Sequence, residues 1–293
     1  MDWPPFLEFS VPAALAVWAA AVAVTLWRSR PRLPEPGPAR TDLPGQEPPA
    51  VVSLMVNRWR SDEDAIDSTL LDLAARGFLE LRETGSPAAG EPAQTTARLR
   101  KGDGRSLTPY EQQILDRVHH LSVNGETTLT SLAFDSWTEA RRWRRTFYRA
   151  VVAEARTRGL CTPRLAPKTR RALLLGAILP ALLMFITWWW VDSELSAKVP
   201  DQVTGAIIGA AAVYLAQYFV VDFNWADQTT PEGVAATESW LGLREHLTTV
   251  EGVADLAPAD VASWGREMAY ASALGVLSAD DALVRLTPGA RSR

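Results

Sequence analysis

The sequence predicts a mainly α membrane protein with three transmembrane helices, a cytoplasmic α+β winged-helix-like region and a C-terminal helical hairpin. Three observations lead there. Three runs of about twenty residues lack charge and are long enough to cross a bilayer. Basic residues flank one end of each of the first two runs. Between those two runs, helical periodicity alternates with strand periodicity.

The first run, "VPAALAVWAAAVAVTLW" (11–27), spans about 25 Å as a helix. Asp2 and Glu8 precede it, and Arg28, Arg30 and Arg32 follow it. A cleaved signal peptide has the opposite charge order, so residues 1–30 read as a retained anchor with the N-terminus outside. Residues 31–50, "PRLPEPGPARTDLPGQEPPA", are proline-rich and poor in bulky apolar side chains, which describes an extended linker. A folded region should begin near Val51 and run to residue 166.

That region reads as two units. In "DAIDSTLLDLAARGFLELRE" (64–83), Ile66, Leu70, Leu73, Ala74 and Gly77 share one side of a helix, and Ser68, Thr69, Asp72 and Arg76 share the other. Gly77 should end the helix, and "FLELRE" and "TTARLRK" (95–101) alternate as the two strands of a hairpin. Helix, helix, hairpin is the outline of a winged helix. A base-reading helix should offer Arg, Lys, Asn or Gln to the major groove, whereas this one offers Asp72 and Arg76 after Glu63, Asp64 and Asp67. Nucleic acid is therefore disfavoured as a partner, and packing or protein contact is the better expectation.

In the second unit, Thr108, Pro109 and Glu111 mark a helix start, "ETTLT" (126–130) is a short strand, and a long helix begins at "SWTEARRW". On that helix Trp143, Phe147 and Val151 line one side, while Arg142, Arg145, Arg149 and Arg156 line the opposite one. Such a face is an ordinary solvated surface, a contact for anionic lipid, or a dock for the acidic tail. The charges are distributed accordingly: 18 basic and 15 acidic residues over 50–168, against 5 and 11 over 222–293.

Residues 170–222 read as a two-helix transmembrane hairpin. "ALLLGAILPALLMFITWWWV" (172–191) has Lys168, Arg170 and Arg171 before it and ends in Trp188, Trp189 and Trp190 at the far interface. "VTGAIIGAAAVYLAQYFVV" (203–221) returns the chain. The result is a multi-pass protein of the cell membrane, N-terminus outside and C-terminus cytoplasmic. Gly205 and Gly209 form a GxxxG that suits either self-association into a homo-oligomer or packing within the hairpin. None of the three runs contains Asp, Glu, Lys, Arg or His, which argues against a pump or transporter. The acidic segment 228–286 should form two helices, with Pro231 and Pro258 at their starts and Trp240 and Trp264 as core anchors.

Catalytic and cofactor signatures do not emerge. Cys161 is the single cysteine, and His119, His120 and His246 lack chelating spacing, so no metal site is assigned. No P-loop, GxSxG or HExxH is present, and carboxylates such as Asp116 and Asp135 stand isolated. The expectation is a non-enzymatic scaffold or adaptor with a protein partner still to be found. A membrane-tethered winged-helix transcription regulator is the alternative, and an enzyme with an unrecognised site is the third.

Several stretches resemble one bacterial membrane-protein family, domain of unknown function 2207, of actinobacterial type. They are "DAIDSTLLDLAARGFLELRE", "LTPYEQQILD", "VVAEARTRGL", the two-span hairpin, and "WLGLREHLTTVEGVADLAPADVASWGREMAYASALGV", together covering roughly residues 50–275. The resemblance implies a membrane anchor, a winged-helix-like cytoplasmic region and a helical C-terminal segment, with no activity attached. Many members carry an extracytoplasmic β-rich domain before the first span. Only about ten residues precede it in this sequence, so the expected type lacks that domain.

Overall fold

The computed structural model describes residues 5–30, 32–60, 63–84, 94–104, 106–194, 199–223 and 227–277. They form two compact units: residues 1–30 with 163–228, and residues 31–162 with 229–293.

The smaller unit holds the apolar runs. Helix α1 spans Pro5–Arg28. Three helices are candidates for crossing a membrane, over Phe9–Arg28, Pro167–Trp190 and Val203–Asp222. Their surfaces suit spans as well as their length does: Val17, Leu179, Ile208 and Phe219 are all at least half exposed, as side chains facing lipid would be. The second candidate is broken in two, α6 over Pro167–Gly176 and α7 over Ile178–Glu194. Pro180 explains the break, because it has no N–H to offer the Gly176 carbonyl four residues earlier.

Helix α8 (Val199–Asp222) packs along α7. Gly205 and Gly209 face α7: a Cβ on Gly205 would overlap the Trp188 indole, and one on Gly209 would lie 3.5 Å from Met184. Trp18, Val22, Leu173, Ala177 and Val221 form the interior of this unit. The Trp18 indole N–H donates to the Leu173 carbonyl at 2.9 Å, satisfying both in an apolar setting. Gln217 turns inward, 3% exposed. At the polar ends Arg170 pairs with Asp222 at 2.5 Å, and Arg164 donates to Ser29 at 3.2 Å and to the Leu26 carbonyl. That guanidinium satisfies one carbonyl, that of Leu26, left over in the last turn of α1.

The larger unit is organised around α2 (Pro49–Val56), in which all eight residues are buried. It touches α3 (Asp64–Ala75), α5 (Trp137–Thr157), α9 (Pro231–Thr249) and α11 (Arg266–Ala273). Gly77 ends α3 as its sequence foretells: φ is +74°, and the amides of Gly77 and Phe78 return to the carbonyls of Ala74 and Leu73. Strands β1 (Leu79–Thr84) and β2 (Gln94–Leu99) pair antiparallel from Leu79↔Leu99 to Thr84↔Gln94. The tip of this hairpin, 85–93, lies outside the described residues.

Helix α4 (Pro109–Leu121) opens with a capping box in which Thr108 and Glu111 serve each other's backbone N–H. Strand β3 (Glu126–Thr128) then joins β2 through Ala97↔Thr127, so one three-stranded sheet links the two expected units. It is shorter than "ETTLT", because Leu129 and Thr130 begin a 3-10 turn that buries Leu129 and Leu132.

The C-terminal segment departs most from expectation. Its second helix is interrupted at Gly265, whose φ of 59° and ψ of −138° are open only to glycine, leaving α10 (Val261–Trp264) and α11. Instead of a free-standing hairpin, α9 packs on α2 and α11 on α3. Trp240 is fully buried and stacks on Tyr270 at 4.7 Å, but Trp264 is only half-buried. Residues 278–286 of the segment lie outside the described residues. The linker has neither helix nor strand over residues 32–48, as its composition indicates, yet it is docked. Gly37 N–H donates to the Glu238 carbonyl at 2.9 Å, and the carbonyls of Gly37 and Pro38 fill the space a Cβ on Gly242 would need.

Candidate functional site

The face of α3 that a DNA reader would present is not a surface. Ser68, Thr69 and Asp72 are 0%, 2% and 3% exposed, although their polarity and spacing predict the solvent side. Each is satisfied from within the protein. The Ser68 and Thr69 hydroxyls donate to the Ala65 carbonyl at 3.2 and 2.6 Å, and Asp72 accepts from Arg266 Nε of α11 at 2.7 Å. The correction has a simple cause: α11 packs over α3 and covers this arc.

Asp72 is the centre of an ionic network. Arg76 lies 3.6 Å from Asp72 Oδ2, 3.5 Å from Asp103 and 2.7 Å from Glu111 Oε1. Arg266 also donates to the Tyr270 hydroxyl at 3.4 Å, and that hydroxyl donates to the Glu47 carbonyl at 2.9 Å. The Glu47 carboxylate in turn accepts from the Trp240 indole at 3.1 Å. Partial burial alone would lower the Arg266 pKa, but the Asp72 carboxylate outweighs it and holds the guanidinium above its ordinary value.

Burial raises the Tyr270 hydroxyl from 10.0 to about 12 against the opposing pull of Arg266, and burial raises Tyr110 as well. A phenol whose folded pKa is raised contributes stability that is complete below pH 10.0 and is lost as pH climbs through about 12. We therefore expect the alkaline limb of the stability curve to steepen over that interval, and to be shallower in Tyr270→Phe. Identical limbs in pH-jump unfolding of the two proteins would refute this.

Beside the network lies a cavity of about 740 Å³. Five chain segments meet there: Gln46 and Pro48 before α2, Asp72 and Arg76 from α3, Thr108 and Glu111 at the start of α4, Arg158 after α5, and Arg266. Sequence reasoning missed it, because its carboxylates and arginines lie up to 194 positions apart. The one local signal is the Thr108–Glu111 capping box, which reads as a helix start and nothing more.

The sequence-derived face is elsewhere. Arg142, Arg145, Arg149 and Arg156 are all exposed along α5, while Phe147, Val151 and Ala155 are buried on its other side. Arg144, between them in sequence, turns aside to pair with Glu63 at 3.2 Å. Gly205 and Gly209 sit in the smaller unit against α7.

Residues 36–279 match the family model described as Predicted membrane protein (DUF2207) C-terminal domain. The chain belongs to this family. The match takes in both folded parts of the larger unit and the second and third candidate spans. No curated protein and no solved structure matches this DUF2207 chain. Membership confirms the membrane assignment and supplies no activity.

Proposed function

We propose that this protein is a non-enzymatic adaptor of the cell membrane, oriented with its N-terminus outside and its larger unit in the cytoplasm, where α5 docks an acidic protein partner. The observation that carries the reading is the exposed row Arg142, Arg145, Arg149 and Arg156 on a helix whose opposite side is core. Four guanidiniums on one stripe give orientation and a fast encounter with a surface of opposite charge.

The orientation is supported by Arg28, Arg30, Lys168, Arg170 and Arg171, which flank the spans at the ends leading to the larger unit. Absence of ionisable residues in the three apolar runs supports an anchoring role rather than transport. Gly205 and Gly209 serve the α7–α8 contact, which leaves the adaptor no need of self-association through them. The rival reading, a tethered transcription regulator, would have to read DNA with an element other than α3, since α11 covers that helix.

A photo-crosslinking residue at the exposed Thr146 position of the full chain, in the native membrane, tests the proposal. The expected result is one discrete protein adduct that disappears in the Arg142→Glu/Arg145→Glu/Arg149→Glu variant. Crosslinking to lipid alone, or an adduct indifferent to charge reversal, would overturn it.

A further inference from the structure

The cavity beside Asp72 has the size and donors of a ligand site. Its volume of about 740 Å³ is that of a pocket for a small metabolite. Arg76, Arg158 and Arg266 reach it from three segments of the chain. Each is held in place through some of its nitrogens. Arg76 uses Nη1 on Glu111 at 2.7 Å, while its Nε lies 3.5 Å from Asp103 without a hydrogen bond; Arg158 uses Nε on Glu154 at 2.7 Å and Nη1 on the Gln46 carbonyl at 3.3 Å; Arg266 uses Nε on Asp72 and Nη2 on the Tyr270 hydroxyl.

Each also keeps one terminal nitrogen without a protein partner among the described residues: Nη2 of Arg76, Nη2 of Arg158 and Nη1 of Arg266. Asp72 and Glu111 are buried, with side chains 4% and 6% exposed, and already bound to Arg76 and Arg266. The outer wall is different: Arg158 and Arg266 are 39% and 42% exposed, beside the Ser106 and Thr108 hydroxyls at the start of α4. The inner wall is thus self-compensated, and the mouth offers guanidinium and hydroxyl donors at a helix N-terminus.

We propose that this cavity binds a small oxyanion-bearing metabolite, with Arg158 and Arg266 gripping its carboxylate or phosphate at the mouth. The guanidinium fork suits a planar or tetrahedral oxyanion better than a point charge would. Because Arg266 belongs to α11 and Arg158 follows α5, the bound anion also ties the C-terminal segment to the rest of the larger unit. This site is independent of the α5 face, and its failure would leave the adaptor reading untouched.

The test is thermal unfolding of the full chain in detergent micelles, titrated with succinate or inorganic phosphate while sodium chloride holds ionic strength constant. A saturable rise in unfolding temperature with at least one probe is expected. Losing a charged hydrogen bond should weaken half-saturation about tenfold or more in Arg158→Gln, with Arg60→Gln, an exposed arginine away from both faces, matching the parent protein. A response to succinate alone identifies a carboxylate ligand, and to phosphate alone a phosphorylated one. If Arg158→Gln does not fold, Arg266→Lys takes its place, keeping the charge and losing the fork. No saturable rise with either probe, or equal responses in the parent and cavity variants, would overturn the site.

Discussion

Asp72→Ala should destabilise the larger unit by about 1.5–3 kcal/mol, the cost of losing a charge-assisted hydrogen bond at a buried acceptor. The Asp72 side chain is 4% exposed and faces Arg266 Nε at 2.7 Å and Arg76 Nη1 at 3.6 Å. Its removal leaves Arg266 without its counter-ion, while the nearly buried Arg76 keeps Glu111 at 2.7 Å. Against a total stability of about 5–15 kcal/mol the loss would be severe. Asp72→Asn, which keeps the shape and one acceptor, should lose less. Denaturant unfolding of the full chain in micelles, followed by tryptophan fluorescence, measures both, and a loss under about 1 kcal/mol for the alanine variant would mean that α11 is not held through Asp72.

Trp240→Ala is the second large effect, about 3–5 kcal/mol for emptying a buried aromatic site. Trp240 is fully buried, stacks on Tyr270 at 4.7 Å and donates to Glu47 at 3.1 Å, so one side chain joins α9, α11 and the linker. Trp240→Phe keeps most of the packing and loses the hydrogen bond, at about 1 kcal/mol. Equal stabilities for the two variants would show that the stack contributes nothing beyond that bond.

Local chemistry was legible and remote partnership was not. A bilayer accepts one pattern, a long uncharged run, and all three runs became helical over a spanning length, the second with a break before Ile178. Gly77 and the Thr108–Glu111 pair act within a few residues of themselves, so sequence alone identifies them. Ser68, Thr69 and Asp72 misled because a polar arc on a helix ordinarily meets water. Their partners are the helix's own carbonyls and an arginine 194 positions away. Likewise Gly265 breaks a helix that Val261, Trp264, Met268 and Ala271 otherwise space correctly. The cavity arises where five segments converge, and none of them announces it.

The larger unit is interrupted in sequence by the membrane helices: the chain leaves it at Thr162 and re-enters at Thr229. During synthesis, α2 and α3 therefore emerge long before α9 and α11 exist to cover them. The nascent domain must wait, with Leu70, Leu71 and Asp72 uncovered by α11, while the hairpin is handed to the insertion machinery. Closure requires that the ribosome finish the last segment and that both spans bring it back to the side it left. Completion of this fold is thus tied to both spans being in place, and a chain stopped before Thr229 lacks the helices that cover α2 and α3.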